Sequence, residues 1–188
     1  MKLMRIILLL LLIIFSVQSG RKDLINYDAE LRNLIENLQI SKSELYVVID
    51  KSDMTLAVQT KDTIIKEYPV VLGGNPADDK LMEGDSCTPE GTFKISSKFP
   101  HKKWTKFLLI NYPVAESYKK HNAAKMQGLI PKDADIGGEI GIHGVPSGKD
   151  FLVDNRINYS QGCVSLKTAD INELYDIMFT GMEVIIKR

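Results

Sequence analysis

Two residues 20 positions apart carry the chemistry this sequence offers most plainly. His143 stands in Ile140-Gly141-Ile142-His143-Gly144, and Cys163 stands in Ser160-Gln161-Gly162-Cys163-Val164-Ser165-Leu166. In both segments the reactive side chain sits beside small residues that expose it, and a cysteine with a histidine suffices for nucleophilic acyl transfer. A free thiol titrates near 8.5 and is only a few per cent thiolate at neutral pH, so a neighbouring imidazole that takes or stabilises the proton makes it a ready nucleophile. Lowering the thiol pKa by about two units takes roughly 2.7 kcal/mol of preferential stabilisation of the ion pair. A helix beginning near Thr168 supplies too little, because dipole effects are worth about 0.3–1 kcal/mol and fade within a turn. His143 is therefore expected to carry most of that stabilisation. Gly162 permits a backbone turn that a bulkier residue would not, and such a turn can aim N–H groups at a developing oxyanion.

Blander readings of the same residues stay open at this level. Cys163 also fits an inert buried thiol or a disulfide with Cys87, and His143 also fits a core histidine satisfied by backbone. His101 and His121 lie among Lys102, Lys103, Lys119 and Lys120 and read as solvated. Three histidines and a cysteine allow a metal by count, yet none has close ligand spacing, so no metal site is expected. Trp104 and Tyr112 read as packing residues.

The elements that must position this pair follow from periodicity. Lys2 and Arg5 precede the apolar run Ile6 to Phe15, and Val17-Gln18-Ser19 fits a cleavage site, so residues 1–19 read as a secretory signal peptide. The apolar stretch Ile6 to Val17 is 12 residues where a membrane span needs about 20, so no stable span is expected. Leu24, Tyr27, Leu31, Leu34 and Leu38 recur at helical intervals, which predicts one amphipathic helix from about Asp23 to Gln39 within an N-terminal segment 20–43. From residue 44 to 188 the pattern turns to strands: Leu45 to Asp50, Met54 to Thr60, Thr63 to Val71, Thr92 to Ser97 and Lys106 to Tyr112. Gly73 to Cys87 reads as a polar loop, Ala115 to Met126 as a polar helix, and Glu139 to Ile142 as a short strand delivering His143 and Gly144 at its end. Val145 to Tyr159 reads as a loop, a helix follows around Asp170 and Glu173, and Glu183 to Lys187 closes the chain as a strand.

Composition narrows the class. The 188 residues balance 24 basic against 24 acidic side chains, and residues 20–188 carry 22 against 24. The absence of a basic excess argues against a nucleic-acid partner. No triplet repeat, long heptad array, paired CxxC motif or dense cysteine framework is present, which leaves one ordinary globular domain.

A histidine and glycine at a strand end, a loop, and then Ser-x-Gly-Cys followed by a β-branched residue resemble the catalytic signature of the YkuD-type L,D-transpeptidases. Pro69-Val70-Val71-Leu72-Gly73 and Thr88-Pro89-Glu90-Gly91-Thr92-Phe93 resemble further elements of that family in the same order, so the likeness covers residues 44 to 188. It implies a mostly β fold with short helices, an α+β catalytic domain with a β-sandwich or barrel-like core and an added N-terminal helix. It further implies Cys163 as nucleophile and His143 as base, with Gly162, Ser160 and Gly144 framing the site and no cofactor. The implied substrates are peptidoglycan stem peptides, with an amine or a wall-linked protein as acceptor, in the periplasm or cell envelope. Two positions depart from the family pattern: Gln161 replaces a common histidine, and Ser165 replaces a common arginine or asparagine. Ser165 and Arg156, the nearest loop cation, are candidate substrate contacts. A carboxypeptidase or amidase using the same pair, or a non-catalytic wall-binding module, remain alternatives.

Overall fold

The computed structural model describes residues 23–188, so the expected signal segment lies outside the described residues. Alternation sets the strands: in β1 (Tyr46–Asp50) Val47 and Ile49 point inward, and in β8 (Glu183–Lys187) Val184 and Ile186 do the same. Between them in sequence come β2 (Thr55–Gln59), β3 (Ile64–Pro69), β4 (Gly91–His101), β5 (Thr105–Ile110), β6 (Gly141–Gly144) and β7 (Val164–Leu166). Among the described residues four α-helices accompany them: α1 (Leu31–Asn37), α2 (Ala115–Met126), α3 (Phe151–Asp154) and α4 (Thr168–Ile177).

The strands form one mixed sheet in the order β3-β2-β1-β8-β4-β5-β6-β7. The pairs β1·β8 and β6·β7 are parallel and the others antiparallel. Strand β4 turns the corner. Its residues Gly91 to Lys94 pair with β8, its register slips between Ile95 and Ser97, and the remainder pairs with β5. A bulge of that kind bends a strand and sharpens its twist, so one long strand serves two halves of a curled sheet. The curl brings the outer edges together: just beyond β3, Val71 exchanges two backbone hydrogen bonds with Ser165 of β7, at 2.9 and 2.8 Å. The expected mostly β architecture with a barrel-like core is present. Ile49, Leu56, Phe93, Leu108, Ile142 and Leu166 fill its interior, and Ile171 and Leu174 of α4 pack onto the same core.

The N-terminal segment differs from expectation. In place of a helix from Asp23 to Gln39 there is a turn over 25–28, the seven-residue α1, and a 3-10 turn at Lys42–Glu44. Asn26 and Gln39 adopt left-handed φ values of 52° and 55°, which an α-helix does not tolerate. The segment's donors are taken from outside it: Ile25 N–H by Glu67, Asn26 Nδ2 by the Ile65 carbonyl, and Leu31 N–H by Glu173. Leu31 and Ile35 enter the main core and Tyr27 and Leu34 pack against it, whereas Leu38 is exposed, so helical periodicity marked Leu31 correctly, missed Ile35 and made the helix too long.

Three smaller differences bear on the site. Strand β6 runs from Gly141 to Gly144, so His143 lies within it and not past its end. The expected loop 145–159 contains α3, and the segment after Cys163 is the short strand β7.

Candidate active site

Register places His143. Phe99 pairs with Phe107, Phe107 with His143, and His143 with Ser165, one row across β4, β5, β6 and β7. Paired residues project on the same side of a sheet, so the imidazole lies flat against Phe107, with centroids 5.3 Å apart and planes 18° from parallel. Trp104, in the β4–β5 turn, stacks on His143 at 4.4 Å and 19°, and also on His101 at 4.4 Å. His143 is 2% exposed. Its Nδ1 lies 2.8 Å from the Gly144 carbonyl. A carbonyl only accepts, so the proton of the neutral ring sits on Nδ1 and the Nε2 lone pair is left to act as base. Burial pushes the imidazole pKa down to about 4; the Gly144 hydrogen bond opposes this, and His101 and Lys103 add to it.

Cys163 is half-buried at the entry to β7. Its thiol faces the Glu139 carbonyl at 3.6 Å. Burial raises its pKa above the usual thiol range, and Glu139 adds to the rise. The Gly141 N–H and the Lys80 charge work the other way. At neutral pH the resting site therefore holds a thiol and a neutral imidazole, where the sequence suggested an ion pair stabilised by His143. Desolvation disfavours both charged forms, and sequence spacing carries no measure of burial.

The frame around the thiol is tight. Ser160 Oγ donates to the Cys163 carbonyl at 2.6 Å and accepts the Gly162 N–H at 3.1 Å, so that N–H is committed to Ser160 and not to the groove. Gly162 has φ 128°, and a Cβ there would stand 2.5 Å from the Cys87 carbonyl oxygen. At Gly144 a Cβ would meet Trp104 O and Ile171 Cγ2, each at 2.9 Å. Segment 71–74, just past β3, holds the loop before the thiol: Tyr159 N–H bonds to Leu72 O, and Gly74 N–H bonds to Ser160 O. Gly73 N–H in turn donates to Thr88 Oγ1. Two of the sequence motifs, Pro69 to Gly73 and Thr88 to Phe93, thus meet behind the cysteine loop.

Cys163, His143, Ser160, Tyr159, Trp104 and Lys80 line one groove of about 710 Å³. Ser165 is fully buried, and its Oγ accepts the Tyr159 phenol at 3.0 Å, so it supports a groove residue and does not face the groove itself. Arg156 is exposed, donates to the Asp53 carbonyl at 3.4 Å, and lines a different depression beside Asp23 and Met54. Both cysteines are free; burial, with Asp85 and Asp78, pushes the Cys87 thiol up to about 11. His121, read as solvated, is buried with Nδ1 2.6 Å from the Leu81 carbonyl oxygen, and His101 is part of the aromatic stack. Among the described residues no three His, Cys, Asp or Glu side chains are grouped to hold a metal ion, and no helix is long and apolar enough to cross a membrane.

Sequence reasoning missed Tyr159 and Lys80 and took Trp104 for packing alone. Tyr159 directly precedes the Ser160 motif, a signal that was legible. Lys80 sits in a polar loop, and nothing local separates it from a surface lysine.

The YkuD family, the L,D-transpeptidase catalytic domain, matches residues 44–186, and the chain belongs to that family. Among solved structures, the chain is similar to the helical cell shape determining protein Pgp2 from Campylobacter jejuni, with a TM-score of 0.57, 19% identity, and coverage of 84% of this chain and 55% of that one. Bd1075 from Bdellovibrio bacteriovorus gives 0.53 at 20% identity over 77% and 48%. An L,D-transpeptidase from Mycobacterium smegmatis gives 0.50 at 16% identity over 77% and 59%. The chain thus spans about half to three fifths of these proteins, and at such identities the likeness is one of fold. A comparison with curated protein sequences returns no match.

Proposed function

We propose that this chain is an exported cysteine acyltransferase that acts on peptidoglycan stem peptides, an L,D-transpeptidase of the cell envelope, with residues 1–19 as its signal peptide and 44–188 as its catalytic domain. The observation that carries the reading is the shared groove, in which an imidazole on β6 with Nε2 left to act as base and a half-buried thiol at the entry to the adjacent parallel strand β7 line one surface.

In this mechanism His143 Nε2 takes the Cys163 proton as Sγ attacks the carbonyl of the third stem residue. The tetrahedral intermediate collapses to a thioester, and the terminal D-alanine leaves with the proton from His143 on its amine. An acceptor amine then attacks the thioester, gives its proton to Nε2, and releases the cross-linked product, after which the proton returns to sulfur. Gly144 O keeps the tautomer fixed through both halves, and Gly162 and Ser160 hold the thiol in place. No cofactor enters these steps. Well-oriented groups reach effective molarities of about 10⁵ M or more, so a positioned amine outcompetes water. If the acceptor is poorly held, the same residues make a carboxypeptidase. Pgp2 is described as a cell shape determinant, and a role in cell shape through wall cross-linking fits this chemistry.

Incubating the protein with a tetrapeptide stem, with and without an amine acceptor, and analysing products by mass spectrometry tests the proposal. A cross-linked or acceptor-bearing product supports the transferase, a tripeptide alone supports the hydrolase, and no turnover supports a wall-binding module.

A further inference from the structure

The neutral resting pair raises a question of charge. When Nε2 removes the thiol proton, a negative sulfur forms in a site that burial has made unfavourable to it, and the new imidazolium is itself disfavoured there. A fixed positive charge nearby would ease the step, and the family's common arginine or asparagine is absent at Ser165. Arg156 lies at another depression. Lys80 does not: it lines the same groove as Cys163 and His143, with a side chain only 3% exposed.

Its position is fixed by the loop that carries it. Asp85 gathers the N–H groups of Leu81, Met82 and Cys87 at 2.7, 2.9 and 3.0 Å and accepts Lys80 Nζ at 2.8 Å. Lys80 Nζ also donates to the Met82 carbonyl at 3.1 Å. The loop is tied to the body of the domain by Lys51 Nζ to Asp78 O and by Glu83 N–H to Asp135 O. The Asp85 carboxylate is paired with Lys80 in this loop, and a charge held away from water acts with a lower effective dielectric than one on the surface.

We infer that Lys80 is an electrostatic positioning residue, whose buried ammonium supplies the fixed positive charge that meets the negative charge forming on Cys163 Sγ. The other groups around the thiol do not fill the role. Glu139 opposes the anion, Tyr159 is a phenol held neutral by burial, and His143 is uncharged at rest. Lys103, Lys149 and Glu83 also line the groove, but both lysines are exposed and screened by water. The Lys80 charge favours the anion at Cys163, while its counter-ion Asp85 is directed at the loop amides and at Cys87.

The inference rests on Cys163 being the nucleophile of the proposed reaction, and its test uses no peptide substrate, so the two fail separately. Iodoacetamide alkylation of Cys163, followed by peptide mass spectrometry across pH, reads the thiol directly. Lys80→Met is expected to move the alkylation midpoint up by about one unit, which lowers the rate at pH 8 about tenfold. Lys80→Arg is expected to stay within about threefold of wild type. Because Lys80→Met leaves Asp85 without its cation, the double variant Lys80→Met/Asp85→Asn, neutral at both positions, is measured beside it and is expected to show the same upward move. Superposable profiles in a variant with the wild-type melting transition would overturn the inference. Loss of the folded state in both variants would overturn it too, assigning Lys80 to loop packing. A clear shift with no turnover of stem peptides by wild type would leave the charge role standing and remove the proposed function.

Discussion

Burial moves the two groups of the candidate pair in opposite directions, His143 down to about 4 and Cys163 above the usual thiol range, so both are uncharged at neutral pH. Proton transfer then belongs to the reaction and not to the resting state. Substitutions at three residues test the site. Cys163→Ala should abolish thioester formation, seen as loss of the acyl-enzyme mass with stem peptide, while leaving the melting transition in place. His143→Gln should lower turnover by roughly 10² to 10⁴, the range for a lost general base. The same variant should leave the alkylation midpoint of Cys163 within a few tenths of a unit, because a neutral imidazole lends the resting thiol little; a midpoint raised by a full unit would restore the ion pair. Arg156→Ala should keep catalytic efficiency within about twofold, as expected of an exposed charge whose bond is to the Asp53 carbonyl.

Strands and loops set these side chains, and glycines let the strands come close enough. Gly162→Ala would put a Cβ 2.5 Å from Cys87 O at a φ of 128°. Holding a non-glycine residue in such a region costs about 1–3 kcal/mol, or roughly 2–4 °C of melting temperature per kcal/mol in a domain of this size. The displaced loop carries Cys163, so calorimetry should show lowered stability and the peptide assay a disproportionate loss of rate. Much of this arrangement was legible in the sequence: the His143 and Cys163 segments, the motifs from Pro69 and Thr88, and the bounds of α2. The rest depends on partners far along the chain. His143 lies inside β6 because Phe107 and Ser165 pair with it. The helix expected over 23–39 is short because Glu67 and Glu173 draw its donors away. Lys80 is buried by a loop folded around Asp85, and no local periodicity encodes that.

For the molecule as a whole, two buried groups give opposite pH dependences. His143 titrates near 4 when folded and near 6.5 when unfolded. The unfolded chain therefore binds the extra proton, and stability falls by roughly 3 kcal/mol as pH drops from 6.5 to 4. Burial raises Asp170 to about 6, against the Tyr27 hydrogen bond and the charges of Lys167 and Lys66, so the folded state binds the extra proton between 6 and 3.8. Stability from that group rises by a similar amount as pH falls through the same window. The two largely offset, so together they should move the wild-type melting temperature little between pH 6.5 and 4, while Glu173, Asp85 and Asp50, held below the usual carboxylate range, lose their stabilisation chiefly at lower pH. Asp170→Asn removes one side of the balance, so its melting temperature should fall markedly over that interval; parallel curves for variant and wild type would refute the assignment.

Strand β8, formed by Glu183–Lys187, lies between β1 and β4 in the middle of the sheet. These five residues join the two halves at the centre of the sheet, while the Val71–Ser165 seam joins them at the outer edges, so the central gap between β1 and β4 cannot close until residues 183–187 arrive. Such a topology makes assembly non-local and slow, with the β1 and β4 edges exposed while the chain waits. Ribosome-bound or truncated chains ending before Glu183 should therefore be sensitive to proteolysis and prone to association. Adding back the missing strand as a peptide should restore protection by filling the seam.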